Sequence, residues 1–493
     1  MSNAPKGHQW KTLDTDLHRI SRVEQAATYA TRPMVGFGIA LAFIVLAALV
    51  ASLFLGHSPS NYVVIAAATF GAYMAVNIGA NDVANNMGPA VGAKALSMGG
   101  AILIAAICES AGALLAGGDV VSTISKGIID PSSVADTQVF IWAMMAALIS
   151  SALWVNLATW VGAPVSTTHS VVGGVMGAGI AAAGLSAVNW SSMSLIAASW
   201  VISPVLGGAI AAAFLALITA QILYKEDKIA ASRRWVPILI GVMAGVFATY
   251  LSLKGLQKII HIDMGSALLI GAVLGCVSYA ISRPVIHRAS EGLENRNKSV
   301  KVLFGLPLVF SAALLSFAHG ANDVANAVGP LAAIVHASEF GGFEANIPIP
   351  MWVMVIGAFG ISFGLFLFGP KLIRMVGSQI TKLNPMRAYC VALSAAITVI
   401  VASWFGLPVS STHIAVGGVF GVGFYREWHM ERRLRAPNAR VGQIKRIAVE
   451  ERRRRKLVRR SHFMTIIAAW VITVPAAATM SALIFLVLTL LVN

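Results

Sequence analysis

Apolar residues run along this chain in long unbroken stretches, with most of the polar residues gathered between them. Val35 to Gly56, Phe140 to Gly162 and Thr465 to Val492 are each long enough to cross the hydrocarbon of a bilayer as a helix. None of them shows the short period-two alternation of a membrane β-strand. The pattern predicts an all-α polytopic membrane protein. Further apolar runs lie at Asn61 to Asn77, Met98 to Gly117, Ser194 to Leu223, Val236 to Leu253, Gly265 to Ile281, Val302 to Phe317, Pro350 to Gly369 and Ala388 to Gly406. Two more open near Ala163 and Leu407 and end near Ala183 and Phe424. About 12–13 spans are expected at this spacing.

Polar residues that do fall inside apolar runs are concentrated in duplicated motifs. Gly79-Ala-Asn81-Asp82-Val-Ala-Asn85-Asn86-Met-Gly-Pro89 recurs as Gly320-Ala-Asn322-Asp323-Val-Ala-Asn326-Ala-Val-Gly-Pro330. Pro164-Val-Ser-Thr-Thr-His169 recurs as Pro408-Val-Ser-Ser-Thr-His413, and both continue into Val-Gly-Gly-Val. The spacings agree, at 85 and 88 residues from Gly to Pro (164 − 79 and 408 − 320). Trp200-Val-Ile-Ser-Pro204 is echoed by Trp470-Val-Ile-Thr-Val-Pro475. The chain is therefore a duplication of a unit of about 150 residues.

Loop charge says how the two copies are related. Residues 119–138 hold three Asp and one Lys, whereas their counterparts 371–387 hold four basic residues and no acid. The uncharged loop 184–193 corresponds to residues 426–460, with fourteen Lys or Arg against four acids. Positive loops stay in the cytoplasm, so matching loops lie on opposite sides and the repeats are inverted. That is an arrangement of secondary transporters, with broken or re-entrant helices and a central site between the halves. The organisation expected is a cytoplasmic tail (1–34), an extra span (35–56), a first repeat (57–224), a connector with two spans and basic loops (225–301), and a second repeat (302–493).

Composition agrees: 57% of residues are hydrophobic and 11% charged, with a mean hydropathy of +0.78, against about 25% charged in soluble domains. The net charge of +16 would suggest nucleic acid in a soluble protein. Here it lies in loops, and segment 426–460 is expected to meet anionic lipid headgroups instead. Cys108, Cys276 and Cys390 sit in apolar stretches without metal-ligand spacing and read as small buried hydrophobes, so no metal site or cofactor is expected. Neither a metalloprotease His-Glu-x-x-His nor a Gly-x-Ser-x-Gly nucleophile motif is present, which argues against an enzyme. No cleavable signal is expected either.

An Asp at the bilayer centre costs about 2.5–3.5 kcal/mol on insertion scales, so Asp82 and Asp323 are read as functional. Glycines and Gly-Pro pairs flank them and loosen the helix, exposing backbone that must find partners in a cavity. If the stretch is helical, Asn81 and Asn85 share one face, and Asp82 and Asn86 the next. Each Pro-Val-Ser-(Thr/Ser)-Thr-His run reads as a helix start, where hydroxyls and free N–H groups attract anions. Ser166, Thr167, Thr168, Ser410, Ser411 and Thr412, with Asn81 and Asn322 beside them, are candidates to enclose a tetrahedral oxyanion. Asp82 and Asp323, helped by Asn85, Asn326 and the intramembrane Glu109, are candidates for a coupling cation, sodium or a proton. His169 and His413 either relay protons or hydrogen-bond backbone at the helix starts.

These signatures, with Lys126-Gly-Ile-Ile-Asp130 after the first, resemble the PiT family of inorganic phosphate transporters over roughly residues 61–222 and 302–492. The resemblance implies symport of phosphate with sodium or protons, and a phosphate site built from the matching motifs. It also admits a sulfate permease, since the family has a sulfate-carrying branch. Two departures stand out. The span at Val35 to Gly56 precedes the family core, and Val391-Ala392-Leu393 stand where some sodium-coupled members carry a Glu. Glu109 is thus left without an evident second-half partner. The reading is a cation-coupled phosphate importer of the cytoplasmic membrane, with its N-terminus inside. A passive anion channel is the rival, and the oligomeric state, a homo-oligomer included, stays open.

Overall fold

The computed structural model describes residues 35–54, 61–130, 133–134, 136–161, 165–255, 260–340, 349–375, 383–434 and 460–492. The tail 1–34 and most of the basic segment 426–460 lie outside them. The named elements of the described residues are helical. Eleven helices are long and apolar enough to cross a membrane, so the chain is a multi-pass membrane protein. Among the described helices of more than fifteen residues, two fall outside that set. One is short (Thr167–Ala183) and the other carries charge at its end (Ser411–Leu434).

The first repeat comprises α2 (Asn61–Asn81), α3 (Val83–Gly92), α4 (Met98–Ala116), α5 (Gly118–Ser122), α6 (Thr137–Val161), α7 (Thr167–Ala183) and α8 (Trp190–Ile218). It follows α1 (Val35–Phe54). The connector holds α9 (Lys228–Lys254) and α10 (Met264–Ala289), then a short α11 (Asn297–Leu303). The second repeat is α12 (Gly305–Phe340), α13 (Met351–Met375), α14 (Pro385–Trp404), α15 (Ser411–Leu434) and α16 (Arg460–Val492). Helix starts carry the side chains that satisfy free N–H groups. Ser97, Ser166, Asn189, Asp227, Asp263 and Asn384 each accept a backbone hydrogen bond from the first turn.

The two repeats interlock through glycines. A β-carbon on Gly79 would lie 1.8 Å from the Ile361 carbonyl oxygen, and one on Gly364 would lie 2.0 Å from that of Val76. The same crossing occurs between α4 and α12: Gly112 meets the Phe317 carbonyl at 2.0 Å, and Gly320 that of Glu109 at 2.1 Å. Residue numbers rise on one helix as they fall on the other, so both pairs are antiparallel. Further along, Gly173 and Gly177 of α7 approach Val474 and Ala478 of α16, and Gly417 and Gly421 of α15 approach Pro204 and Gly208 of α8. Those two pairs run parallel. Because α7 and α8 are joined by a short loop, they point in opposite directions. α15 runs with α8, so it opposes its own counterpart α7. The repeats are inverted, as their loop charges predict. Small residues are what let membrane helices approach this closely.

The pseudo-twofold axis passes near Ser110 and Ser362, equivalent residues whose hydroxyls lie 2.8 Å apart, and near His169 and His413, whose rings are 4.8 Å apart. The extra span α1 lies against α13, with Phe43 stacked on Phe363 at 4.8 Å and Phe54 on Trp352 at 6.3 Å. In the connector, Lys254 at the end of α9 pairs with Asp119 of α5 and lies 5.0 Å from the Trp404 ring centroid. That one lysine touches both repeats.

One expectation needs qualifying. The two Asn-Asp motifs share their glycines and Gly-Pro pairs, yet only the first carries a local irregularity, one residue long. Asp82 there keeps helical dihedrals, and its N–H still bonds the Ile78 carbonyl at 2.9 Å. Asp82 sits between α2 and α3, whereas the second motif lies within the continuous α12, Pro330 included. Local sequence permits an irregularity, and the surroundings decide whether it forms.

Candidate functional site

Four pieces of backbone converge between the repeats: the irregularity at Asp82, the middle of α12, and the N-termini of α7 and α15. Ser166 and Ser410 cap those two helices, accepting from the N–H of His169 at 3.2 Å and of His413 at 3.4 Å. Their hydroxyls therefore serve the helix starts. The next hydroxyls face the interface. Thr167 donates to Asp82 Oδ2 at 2.8 Å and Thr412 to Asp82 Oδ1 at 3.2 Å. Asp82, 2% exposed, thus bridges a helix start from each repeat.

Amides from the motifs set the direction of those hydroxyls. Asn85 donates to Thr412 Oγ1 at 2.9 Å. Asn326, its equivalent, donates to Thr167 at 3.2 Å and to Thr168 at 3.1 Å. A threonine oxygen that accepts from an amide turns its own hydrogen elsewhere, here to Asp82 and, from Thr168, to the Val409 carbonyl at 3.1 Å. Ser411 is buried at the first position of α15. Asp323 Oδ1 and Asn326 Oδ1 are buried without a hydrogen-bond partner among the described residues. Two hard oxygen acceptors are left for a cation.

Asn81 and Asn322 each make a contact with a later helix of their own repeat. Asn81 donates to Thr159 at 3.0 Å, and Asn322 donates to Ser403 at 3.0 Å, the equivalent contact. Asn322 also holds the extended segment entering α15, donating to the Leu407 carbonyl at 3.1 Å and accepting from the Val409 N–H at 3.1 Å. Asn322→Ala should therefore lower the thermal unfolding midpoint in detergent, by the equivalent of about 2 kcal/mol for one orphaned buried group and its lost bonds. Asn81→Ala, at a half-buried position, should cost less. Equal shifts would contradict this difference.

Glu109 has a partner that the sequence reading missed. Its Oε2 lies 2.7 Å from His319 Nδ1, and its Oε1 accepts from Asn86 at 3.0 Å. The other ring nitrogen, Nε2, lies 2.9 Å from Asp323 Oδ2. Asn86, Glu109, His319 and Asp323 form one buried chain. The second half does not reproduce it. The equivalents of Asn86, Glu109 and His319 are Ala327, Ile361 and Ile78, by the register of the glycine crossings. Asn77 and Asn156, joined at 3.1 Å, were also missed.

His169 and His413 meet near the axis, away from that chain. His169 packs 4.0 Å from the Trp200 ring, its two ring nitrogens buried without a hydrogen-bond partner. Trp200 itself donates to the Pro408 carbonyl at 3.0 Å. The aromatic contact thus supports the helix starts.

Comparison with known proteins places this geometry. A model described as the phosphate transporter family matches residues 78–481. A Helicobacter pylori (strain J99) protein named as a phosphate permease is 45% identical, covering 96% of this chain and 98% of its own. A Pyrococcus abyssi protein named likewise is 37% identical over 85% of this chain and 96% of its own. Among solved structures, one described as the sodium-dependent phosphate transporter is similar at a TM-score of 0.78 and 34% identity, covering 87% of this chain and 99% of that one.

Proposed function

This chain belongs to the phosphate transporter family, and on that premise we propose that it imports inorganic phosphate in symport with a cation, sodium being the favoured ion. The observation that carries the reading is Asp82 held between Thr167 and Thr412, one hydroxyl from each half-helix. While Asp82 is an unneutralised anion it repels phosphate and occupies both hydroxyl hydrogens. A cation bound to Asp82 and Asp323 removes the repulsion and weakens the pull on those hydrogens. Thr167 and Thr412 can then turn to an oxyanion at the α7 and α15 N-termini, where unpaired N–H groups also favour negative charge. Binding of either solute thus improves binding of the other, which is the thermodynamic content of symport.

Sodium is favoured because the free acceptors, Asp323 Oδ1 and Asn326 Oδ1, are hard oxygens, and because the similar solved structure is described as sodium-dependent. The inverted halves supply the two arrangements needed for alternating access: rocking one against the other would expose the same site to opposite faces. We place the protein in the cytoplasmic membrane with its N-terminus inside, from the basic loops. The site carries substrate without altering it.

Labelled phosphate uptake into proteoliposomes tests this. An inward sodium gradient should drive phosphate above its equilibrium level, and excess sulfate should leave uptake unchanged. Flux that merely follows the phosphate gradient would make the protein a channel. Uptake driven only by a proton gradient would reassign the cation, and full competition by sulfate would reassign the substrate.

A further inference from the structure

We infer that Lys254, at the outer end of the connector helix α9, is the latch of the outer mouth: it holds shut the route from outside to the α15 helix start. The inference deepens the proposed function and rests on its sidedness and its alternating access. Lys254 Nζ pairs with Asp119 of the first repeat and lies 5.0 Å from the Trp404 ring centroid of the second. Both partners flank the route. Asp119 lies in the first turn of α5, and Trp404 ends α14, from which the linker 405–410 leads to Ser411.

The linker lies directly on α5. Gly406 has a φ of +66°, and a β-carbon there would lie 3.1 Å from Thr123 Oγ1 and 3.3 Å from the Asp119 carbonyl oxygen. A solute coming from outside must part these two segments to reach Thr412. The helix that carries Lys254 is itself fixed to the second repeat by aromatic contacts. Phe247 meets Phe317 at 5.0 Å, and Tyr250 meets Phe317 at 6.5 Å and Trp404 at 6.1 Å. The anchored helix thus reaches across to the first repeat with one charge. Lys254 and Asp119 keep side-chain exposures of 24% and 47%, and an ion pair so open to water is weak enough to break in every cycle.

The inverted counterpart of this place shows what the latch adds. By the register of the duplicated motifs, Asn81, Thr159 and Trp160 stand on the inner side where Asn322, Ser403 and Trp404 stand on the outer. Trp160 is 84% exposed against 36% for Trp404, and Asn81 and Thr159 are half-buried where Asn322 and Ser403 are each 1% exposed. The outer end is covered and the inner end is not. Two equivalent ends covered unequally are the two faces of one alternating-access state, with the site shut from outside. The connector is not duplicated, so it can close one mouth and leave the other free.

The test labels single cysteines with a membrane-impermeant thiol reagent added outside intact cells, in the full-length chain with Cys108, Cys276 and Cys390 replaced by alanine. Leu407→Cys, half-buried on the linker, reports the mouth: it reacts only while the mouth is open, so its rate follows the open fraction. Lys254→Gln should speed that labelling about 3–20-fold, the size set by an exposed ion pair and a cation–π contact together. Asp119→Asn should speed it about 2–5-fold, since the contact with Trp404 survives. Lys254→Arg keeps the charge and stacks on an aromatic face, so it should stay slow. Ser133→Cys, exposed in the outer loop, should label alike in every background. Unchanged rates at Leu407→Cys in both neutral variants, or equal rates in Lys254→Arg and Lys254→Gln, overturn the latch. So does a matching rise at Ser133→Cys, which would mean a loosened fold. Should Leu407→Cys not insert, Thr123→Cys on the facing side of the linker takes its place. Uptake is not read, so failure of the phosphate assignment and failure of the latch are separate results.

Discussion

Asp82→Asn should reach the membrane in normal amount and accumulate almost no phosphate. The substitution keeps the shape and one carbonyl oxygen, so one of the two threonine bonds survives. It replaces the other acceptor with an NH₂ group, which must face a hydroxyl already supplied with a hydrogen by Asn85 or Asn326. More important, it removes the charge that calls for a cation. Without that demand, cation binding no longer reorganises Thr167 and Thr412, and the two solutes lose their linkage. A fall of about 100-fold in sodium-driven accumulation is expected, near the upper end for one coupling between ligands. Facilitated exchange of phosphate down its gradient should suffer less. Normal sodium-driven accumulation in a correctly inserted variant would remove Asp82 from the coupling site.

Gly320→Val should give little or no folded protein. Its β-carbon would stand 2.1 Å from the Glu109 carbonyl oxygen and 2.7 Å from two further backbone atoms. Backbone in the middle of a packed helix cannot swing aside as a side-chain tip does, so α4 and α12 must separate along the crossing. Overpacking of a core ordinarily costs about 1–3 kcal/mol, and a backbone collision of this depth belongs to the exceptional class above about 4 kcal/mol. Gly320→Ala brings the same β-carbon and should fail nearly as badly. Gly99→Ala is the control, because nothing lies within 4 Å of a β-carbon there. The monodisperse fraction on size exclusion after membrane extraction is the measurement. A normal fraction for Gly320→Val would mean that the helices cross more loosely than described.

Much of the architecture was legible because it rests on local rules. Apolar run length gave the spans, and the basic loops gave the inversion, which the parallel and antiparallel glycine crossings then bear out. The extra span stands as a helix, Val35–Phe54, against α13, where its phenylalanines meet aromatic partners. Helix starts were displaced by a few residues: Asp227 and Asn189 cap α9 and α8 well before the apolar runs begin, since polar first turns extend a helix without adding hydropathy.

Glu109 and His319 were harder. They lie 210 residues apart, and a crossing of α4 on α12 joins them, which no periodicity reveals. A signal existed all the same. His319 precedes the second motif where Ile78 precedes the first, and an ionisable residue inside a span needs a partner. The contacts of Asn81 with Thr159 and of Asn322 with Ser403 were hidden for the same reason, since each joins residues about 80 positions apart. The irregularity at Asp82 could not have been separated from the regular second copy, because both motifs carry the same helix-loosening residues.

The crossed packing has a consequence for how the chain is made. Helices emerge from the ribosome in order, so α2, α4 and α7 are in the bilayer before α12, α13 and α16 exist to fill their glycine grooves. The first Asn-Asp motif must therefore wait, polar and unpartnered across the interface, while the connector is synthesised. The contacts Asn77–Asn156 and Asn81–Thr159 lie wholly within the early half and shelter these amides during that delay. The later half is inserted against a finished template, and Ala318 and Ile400 stand where the first of those pairs would be. Asn322–Ser403 repeats the second contact in the later half, so the support that the early half alone carries is the Asn77–Asn156 pair.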